Sequence, residues 1–315
     1  MIFPKYPLLL LVLTLSLSGC RPGPEKETAM AASPPPAPRP ETGARSPSPE
    51  FMEYWYDGVA ELNSYELQQA RYGEIRKGEA VLIYVTEPFD LEKQVKAEQK
   101  GPNTVSVLKL NRVRKFLTGV YPYSIMSSVF DPVSEHRHAL KLTTSVQEWC
   151  GHIYAQLNNR ESFDIRSHSY FEGEADQRIH LPKSLLEDEL WTKLRFGPEA
   201  LPTGQVEMLP SLEYLRLKHK PIKTYAATLT LSEPGPSRTY TLTYPELGRT
   251  LQIHFKGAFP FEVEGWTETY PSGFQGDSPL ITSAARKKKT LRTPYWRKNA
   301  NSDVSLRDTL GLSLK

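Results

Sequence analysis

Tyr225-Ala226-Ala227-Thr228-Leu229-Thr230-Leu231 alternates apolar and polar side chains with period two, the pattern of a strand with one face buried. The same rhythm returns downstream in Tyr240–Tyr244 (YTLTY), Leu251–Phe255 (LQIHF) and Phe261–Trp266 (FEVEGW), and upstream in Val105–Leu110 (VSVLKL) and Ala139–Val146 (ALKLTTSV). Tyr225, Ala227, Leu229 and Leu231 are expected to share a face with Tyr240, Leu242, Tyr244, Leu251, Ile253 and Phe255. Thr228, Thr230, Thr241, Thr243 and Gln252 point the other way. A sheet that is apolar on one side and polar on the other is antiparallel, because parallel sheets are covered on both faces. The links are short and rich in turn formers, as in Glu233-Pro234-Gly235-Pro236 and Pro245-Glu246-Leu247-Gly248. These features predict a mainly β fold, one long curved antiparallel meander.

One segment breaks the rhythm. Ser184-Leu185-Leu186-Glu187 has the spacing of a capping box, Leu186, Leu190, Trp191 and Leu194 form a helical stripe, and Gly197-Pro198 is a stop. A single covering helix near 184–196 is predicted. One helix on a curved sheet resembles the half-barrels of periplasmic lipoprotein carriers, and that likeness implies an apolar cavity under the helix. Glu187-Asp188-Glu189 would then sit in the first helical turn and complement its dipole.

The composition suits a folded chain: of 315 residues, 39% are hydrophobic and 24% charged, with a net charge of +3. Two cysteines exclude a disulfide scaffold. At the N-terminus, Pro7–Leu17 (PLLLLVLTLSL) has the length of a signal-peptide core, and Leu17-Ser18-Gly19-Cys20 matches the bacterial lipobox. The match implies cleavage before Cys20 and lipid on its thiol and amino group, an anchor that several acyl chains make effectively permanent. Arg21-Pro22 after the anchor, with no Asp, favours the outer membrane by analogy with known sorting rules. Residues 21–50 hold nine prolines and few large apolar side chains, so they read as a tether. The expected organisation is a signal peptide at 1–19, lipidated Cys20 and tether at 20–50, a β-rich domain at 51–283 and a basic tail at 284–315.

That last segment carries nine basic and two acidic side chains, a net +7, which leaves −4 for the rest. Arg286, Lys287, Lys288 and Lys289 are candidates for contact with an anionic surface, and a solvated tail is the other reading. Nucleic acid is not an expected partner in this compartment.

Trp149-Cys150-Gly151-His152 resembles a dithiol redox motif but lacks the second cysteine. On a strand, Cys150, His152 and Tyr154 would share one face, which makes Cys150 with His152 a candidate nucleophilic pair and Gln147 an oxyanion donor. Ordinary packing is the competing reading. His136 and His138 have the spacing of two metal ligands on a strand, without a third, so no metal or cofactor is expected. Glycine-rich phosphate loops, G-x-S-x-G and H-E-x-x-H are absent from the sequence.

Tyr54-Trp55-Tyr56-Asp57-Gly58, Ser64-Tyr65-Glu66-Leu67, Ala70-Arg71-Tyr72-Gly73-Glu74, Gly119-Val120-Tyr121-Pro122-Tyr123-Ser124, Gln147–His152 and Leu201-Pro202-Thr203-Gly204 are similar to those of uncharacterised Bacteroidota lipoproteins. Members of that family often carry the label "septum formation inhibitor Maf". The resemblance spans about residues 51–267 and implies no activity. True Maf proteins are cytoplasmic α/β nucleotide pyrophosphatases with an N-terminal Ser-Pro-Arg-Arg-type motif, which this chain lacks, so that activity is not expected. Tyr121, Tyr123, Trp149, Tyr154 and Trp266 are candidates for lining a groove that stacks on sugars or holds acyl chains, with core packing as the alternative. The expected function is a membrane-anchored, non-catalytic envelope protein that binds an amphipathic lipid, a glycan or an envelope protein on its sheet. A hydrolase or transferase using Cys150 and His152 is the alternative.

Overall fold

Fourteen strands of five or more residues form the sheet, which reaches sixteen with the short pieces Val95–Lys96 and Leu185–Leu186. In chain order they are β1 (Ala60–Arg71), β2 (Glu74–Asp90), β3 (Thr104–Thr118), β4 (Tyr121–Pro132), β5 (Lys141–Glu148), β6 (Gly151–Asn159), β7 (Phe163–Ser169) and β8 (Gln177–Leu181). Then follow β9 (Gly204–Leu209), β10 (Tyr225–Leu231), β11 (Ser237–Tyr244), β12 (Arg249–Lys256), β13 (Val263–Pro271) and β14 (Leu280–Thr293). The computed structural model describes residues 43–273 and 278–313, apart from the side chain of His136. The signal peptide, Cys20 and most of the expected tether lie outside the described residues.

Every long strand pairs antiparallel with its neighbour in sequence, except that β8 and β9 are the two edges and β1 pairs with β14 in the middle. The chain thus enters at the centre of the sheet, winds out to one edge, crosses to the other and winds back. Only Leu185–Leu186 runs parallel, against the end of β9. Two-residue turns close the hairpins Tyr72-Gly73, Gly119-Val120 and Trp149-Cys150. In the first, both residues have positive φ (57° and 80°), as the favoured hairpin turn demands, with glycine in the second place.

Alternation sorts the side chains as expected. Tyr225, Ala227 and Leu229 face inward beside Tyr240, Leu242, Tyr244, Leu251, Ile253 and Phe255, all buried in one core with Trp55, Trp191 and Trp266. Trp191 and Trp266 meet edge to face, centroids 5.4 Å apart. Burial of each large side chain contributes roughly 1.5–3 kcal/mol. On the convex face, Thr228, Thr243, Thr250, Thr269 and Thr282 fall opposite one another across five strands.

The helices are short. In α1 (Pro49–Trp55) the Ser48 hydroxyl accepts from the Phe51 amide at 3.1 Å, and Phe51 and Trp55 are buried, so ordered structure starts ahead of the boundary expected at 50. The helix expected at 184–196 is only α2 (Leu190–Phe196), followed by α3 (Leu212–Leu217). No capping box forms at Ser184: the helix begins six residues later, because Leu185–Leu186 joins the sheet and the acids after it pair elsewhere. The expected basic tail is also corrected. Residues 280–293 are β14, a central strand, and α4 (Leu306–Thr309) with the chain around it folds back on the convex face. No helix among the described residues is long and apolar enough to cross a membrane.

Candidate functional site

The concave face is closed by ion pairs at positions where the pattern led us to expect only apolar packing. Arg112 and Arg114 on β3 and Arg249 on β12 point inward, in phase with Leu110, Phe116 and Leu251. The crossing segment delivers the acids. Glu187 receives both Arg249 guanidinium nitrogens at 2.6 Å, Asp188 receives Arg112 at 2.9 Å, and Glu213 on α3 receives Arg114 at 3.2 Å. Glu268 on β13 takes a third bond from Arg249 at 2.7 Å. From α2, Arg195 reaches Glu61 on β1 with two bonds of 2.8 Å. Burial opposes ionisation of Glu187 and Glu61, but Arg249 and Arg195 outweigh it and hold both carboxyls below the ordinary value.

These pairs replace the dipole role read for Glu187-Asp188-Glu189: Glu187 and Asp188 pin the crossing segment to different strands, and Glu189 pins it to the loop before β5. Glu189 accepts from the Ala139 amide at 2.7 Å and pairs with the His138 ring at 2.8 Å. Where Arg112, Arg114, Glu213 and Arg249 meet, the free space is about 10 Å³, barely room for one water. The carrier-like cavity expected there is filled by the chain itself. A space of about 320 Å³ remains at one side, between β5–β8 and α3.

A larger groove, about 770 Å³, lies on the convex face of β4–β7. Hairpin geometry builds it. Trp149 sits in the two-residue turn between β5 and β6 and is 69% exposed, while Tyr170, just past β7, is 72% exposed. Tyr154 lies further along β6, opposite Ser145 on one side and His168 on the other. Gln147 and His152 face each other across the same ladder, and His168 meets Asp176 at 3.2 Å. The Tyr154 hydroxyl, which burial keeps protonated, donates to Gln156 at 2.8 Å and starts a row of amides through Asn158 to Gln94. Gly151 makes room for Tyr170: a Cβ there would come within 2.7 Å of the ring.

The sequence candidates divide accordingly. Tyr154 lines the groove, whereas Trp149 is not among its walls and instead stands 6.4 Å from Tyr121 between ring centroids. Tyr123 and Trp266 are corrected: both are inward and buried, Tyr123 stacked on Phe116 and Trp266 against Tyr65. Cys150 is not on a strand with His152 but in the turn before β6, which removes their shared strand face. Its exposed thiol is pushed up by a hydrogen bond to Glu148 and by that residue's charge, the reverse of an activated nucleophile. His138 is tied to Glu189, and no group of three or more potential metal ligands occurs among the described residues. Of the four cations, Arg286 pairs with Glu66, Lys287 with Glu262, and Lys288 with the Gly311 carbonyl. Three of the four are therefore spent within the fold.

The sequence reading missed the buried arginines and Tyr170. A signal existed for the former: charges at the inward positions of an alternating strand need partners. For Tyr170 there was none, because its place depends on Gly151 of the neighbouring strand. Compared with protein-family models, curated proteins and solved structures, the chain matches none of them.

Proposed function

We propose that this chain is a lipid-anchored protein of a bacterial envelope, held to the outer membrane through Cys20, that binds a glycan without transforming it, in the convex groove lined by Tyr154 and Tyr170. The observation that carries this reading is the pairing of two outward-facing rings, Tyr154 and the 72% exposed Tyr170, with a polar floor fixed on the sheet. Sugar rings offer apolar faces to aromatic side chains and hydroxyls to neighbouring amides and imidazoles, and Gln147, His152 and Tyr154 lie within one ladder. Exposed aromatic area of this size is costly to leave bare in water.

Titration with soluble chito-oligosaccharides and with oligosaccharides released from lipopolysaccharide, read by tryptophan fluorescence and calorimetry, tests the reading. Saturable binding lost in Tyr170→Ala supports it. Absence of binding across both sets sinks it. Anchoring is tested apart, by fractionating cells that express Cys20→Ser, which leaves the membrane fraction if Cys20 carries the lipid.

A further inference from the structure

A second space lies far from the groove in sequence. After β14 the chain turns at Tyr295, arches through residues 298–306 and returns to the convex face, where Ser64 on β1 donates to the Leu310 carbonyl at 2.5 Å and Glu79 on β2 accepts from the Ser313 amide at 2.8 Å. Leu310 and Leu312 pack there on outward-facing Leu62, Val81, Ile83 and Val85. Between this strap and the sheet is a hollow of about 290 Å³ with Ile83, Val113, Leu291 and Leu306 among its walls. Side chains that merely held the strap down would close such a gap, since interiors pack to near crystal density.

The mouth carries three cations, Lys115 from β3 with Lys298 and Arg307 from the strap, against the acids Glu79 and Asp303. Glu79 faces Lys115 across the β2–β3 ladder, yet neither lysine ammonium makes a hydrogen bond or ion pair among the described residues. The two acids at the same rim are engaged by main-chain donors: Glu79 by Ser313, and Asp303 by the Ala300 amide at 3.1 Å. Arg307 donates to the Ser313 carbonyl at 2.7 Å. An apolar hollow with two uncommitted ammonium groups at its mouth has the complementarity of a single alkyl chain that ends in a carboxylate. Its volume equals that of about ten waters at roughly 30 Å³ each, the bulk of a medium-length chain.

We infer that the strap pocket binds a free fatty carboxylate, tail under the strap and headgroup between Lys115 and Lys298. This site is independent of the glycan groove, and either can fail without the other.

The test is calorimetry of the full chain carrying Cys20→Ser, which bears no acyl group of its own, with carboxylates from octanoate to tetradecanoate and with dodecanol. Affinity is expected to rise about fourfold per methylene until the chain outgrows the hollow. Val113→Trp, which fills it from the sheet, is expected to weaken dodecanoate at least tenfold. Leu306→Trp fills it from the strap and keeps the test decisive if the first variant does not fold. Lys115→Gln with Lys298→Gln should weaken dodecanoate several-fold and leave dodecanol unchanged. Absence of saturable binding, or binding that neither tryptophan weakens, overturns the inference. So does equal loss of acid and alcohol in the double lysine variant, for the headgroup's place.

Discussion

On the concave face Arg112, Arg114 and Arg249 stand in apolar rows and are answered by acids from the crossing segment, whereas on the convex face of β10–β14 the intervening positions carry threonines that mostly face water. Both sets obey one alternation. What differs is the cost of losing a partner. An inward charge without its mate is stranded in low dielectric, and an outward hydroxyl without its mate turns to solvent. The concave face therefore fixes where the crossing segment sits, and the convex face is free to vary and to carry sites.

Arg249→Met strains that contrast most. It leaves Glu187 and Glu268 without their guanidinium, and a loss of about 3–5 kcal/mol is expected from urea denaturation. The combined variant Arg249→Met with Glu187→Leu should recover part of the loss, since fewer charges stay buried. A double variant no more stable than the single one would show that packing, not charge, dominates there.

Acid should reach the same face next. Glu61 and Glu187 have folded values below their ordinary 4.5, so the stability they contribute is complete above about pH 4.5 and is lost as pH falls through the folded values. Burial raises Asp131, so that group favours the fold as acid protonates it and opposes the trend, one group against five, since partners also hold Asp164, Glu189 and Glu262 below their ordinary values. Melting temperature is expected to fall as pH drops below 4.5. A flat profile from neutral pH to pH 3 would contradict the ion-pair account.

On the convex side Tyr170→Ala should weaken glycan binding about tenfold while shifting stability by no more than about 0.5 kcal/mol. Gly151→Ala should reproduce the binding defect more weakly, by displacing Tyr170. If Tyr170→Ala unfolds the protein, the ring is part of the core and the contrast between faces is wrong. Smallest of all, Thr243→Ala, in the middle of the threonine row, is expected to change stability by less than about 0.5 kcal/mol in the same denaturation experiment.

How much of this was legible depended on whether the signal was local. Tyr225–Leu231 is a strand over the residues read from its alternation, and its inward and outward sets are those observed, because period two is written along the strand itself. Ala284–Lys289 was read as a tail because four consecutive cations mask the pattern. The structure adds a reason: the register shifts between Lys287 and Lys289, so alternation breaks inside the strand. Glu187-Asp188-Glu189 looked like a helix start because acids there are usual, and what redirected them was three partners 51 to 76 residues away. In the groove, Tyr154 could be singled out as aromatic, but nothing local separated it from Tyr123 and Trp266, which the pleat turns inward.

The pairing of β1 with β14 also bears on how the chain is made. Every other long ladder joins strands adjacent in sequence and can zip as a hairpin once both are present. During synthesis β1 gains β2 on one side almost at once, while its other edge, Ala60–Gln68, stays open until the last strand arrives more than 200 residues later. An unpaired edge held that long is a template for pairing with another chain. The interval between the first strand and the last is therefore the stretch of its life in which this protein most needs to be kept from its own copies.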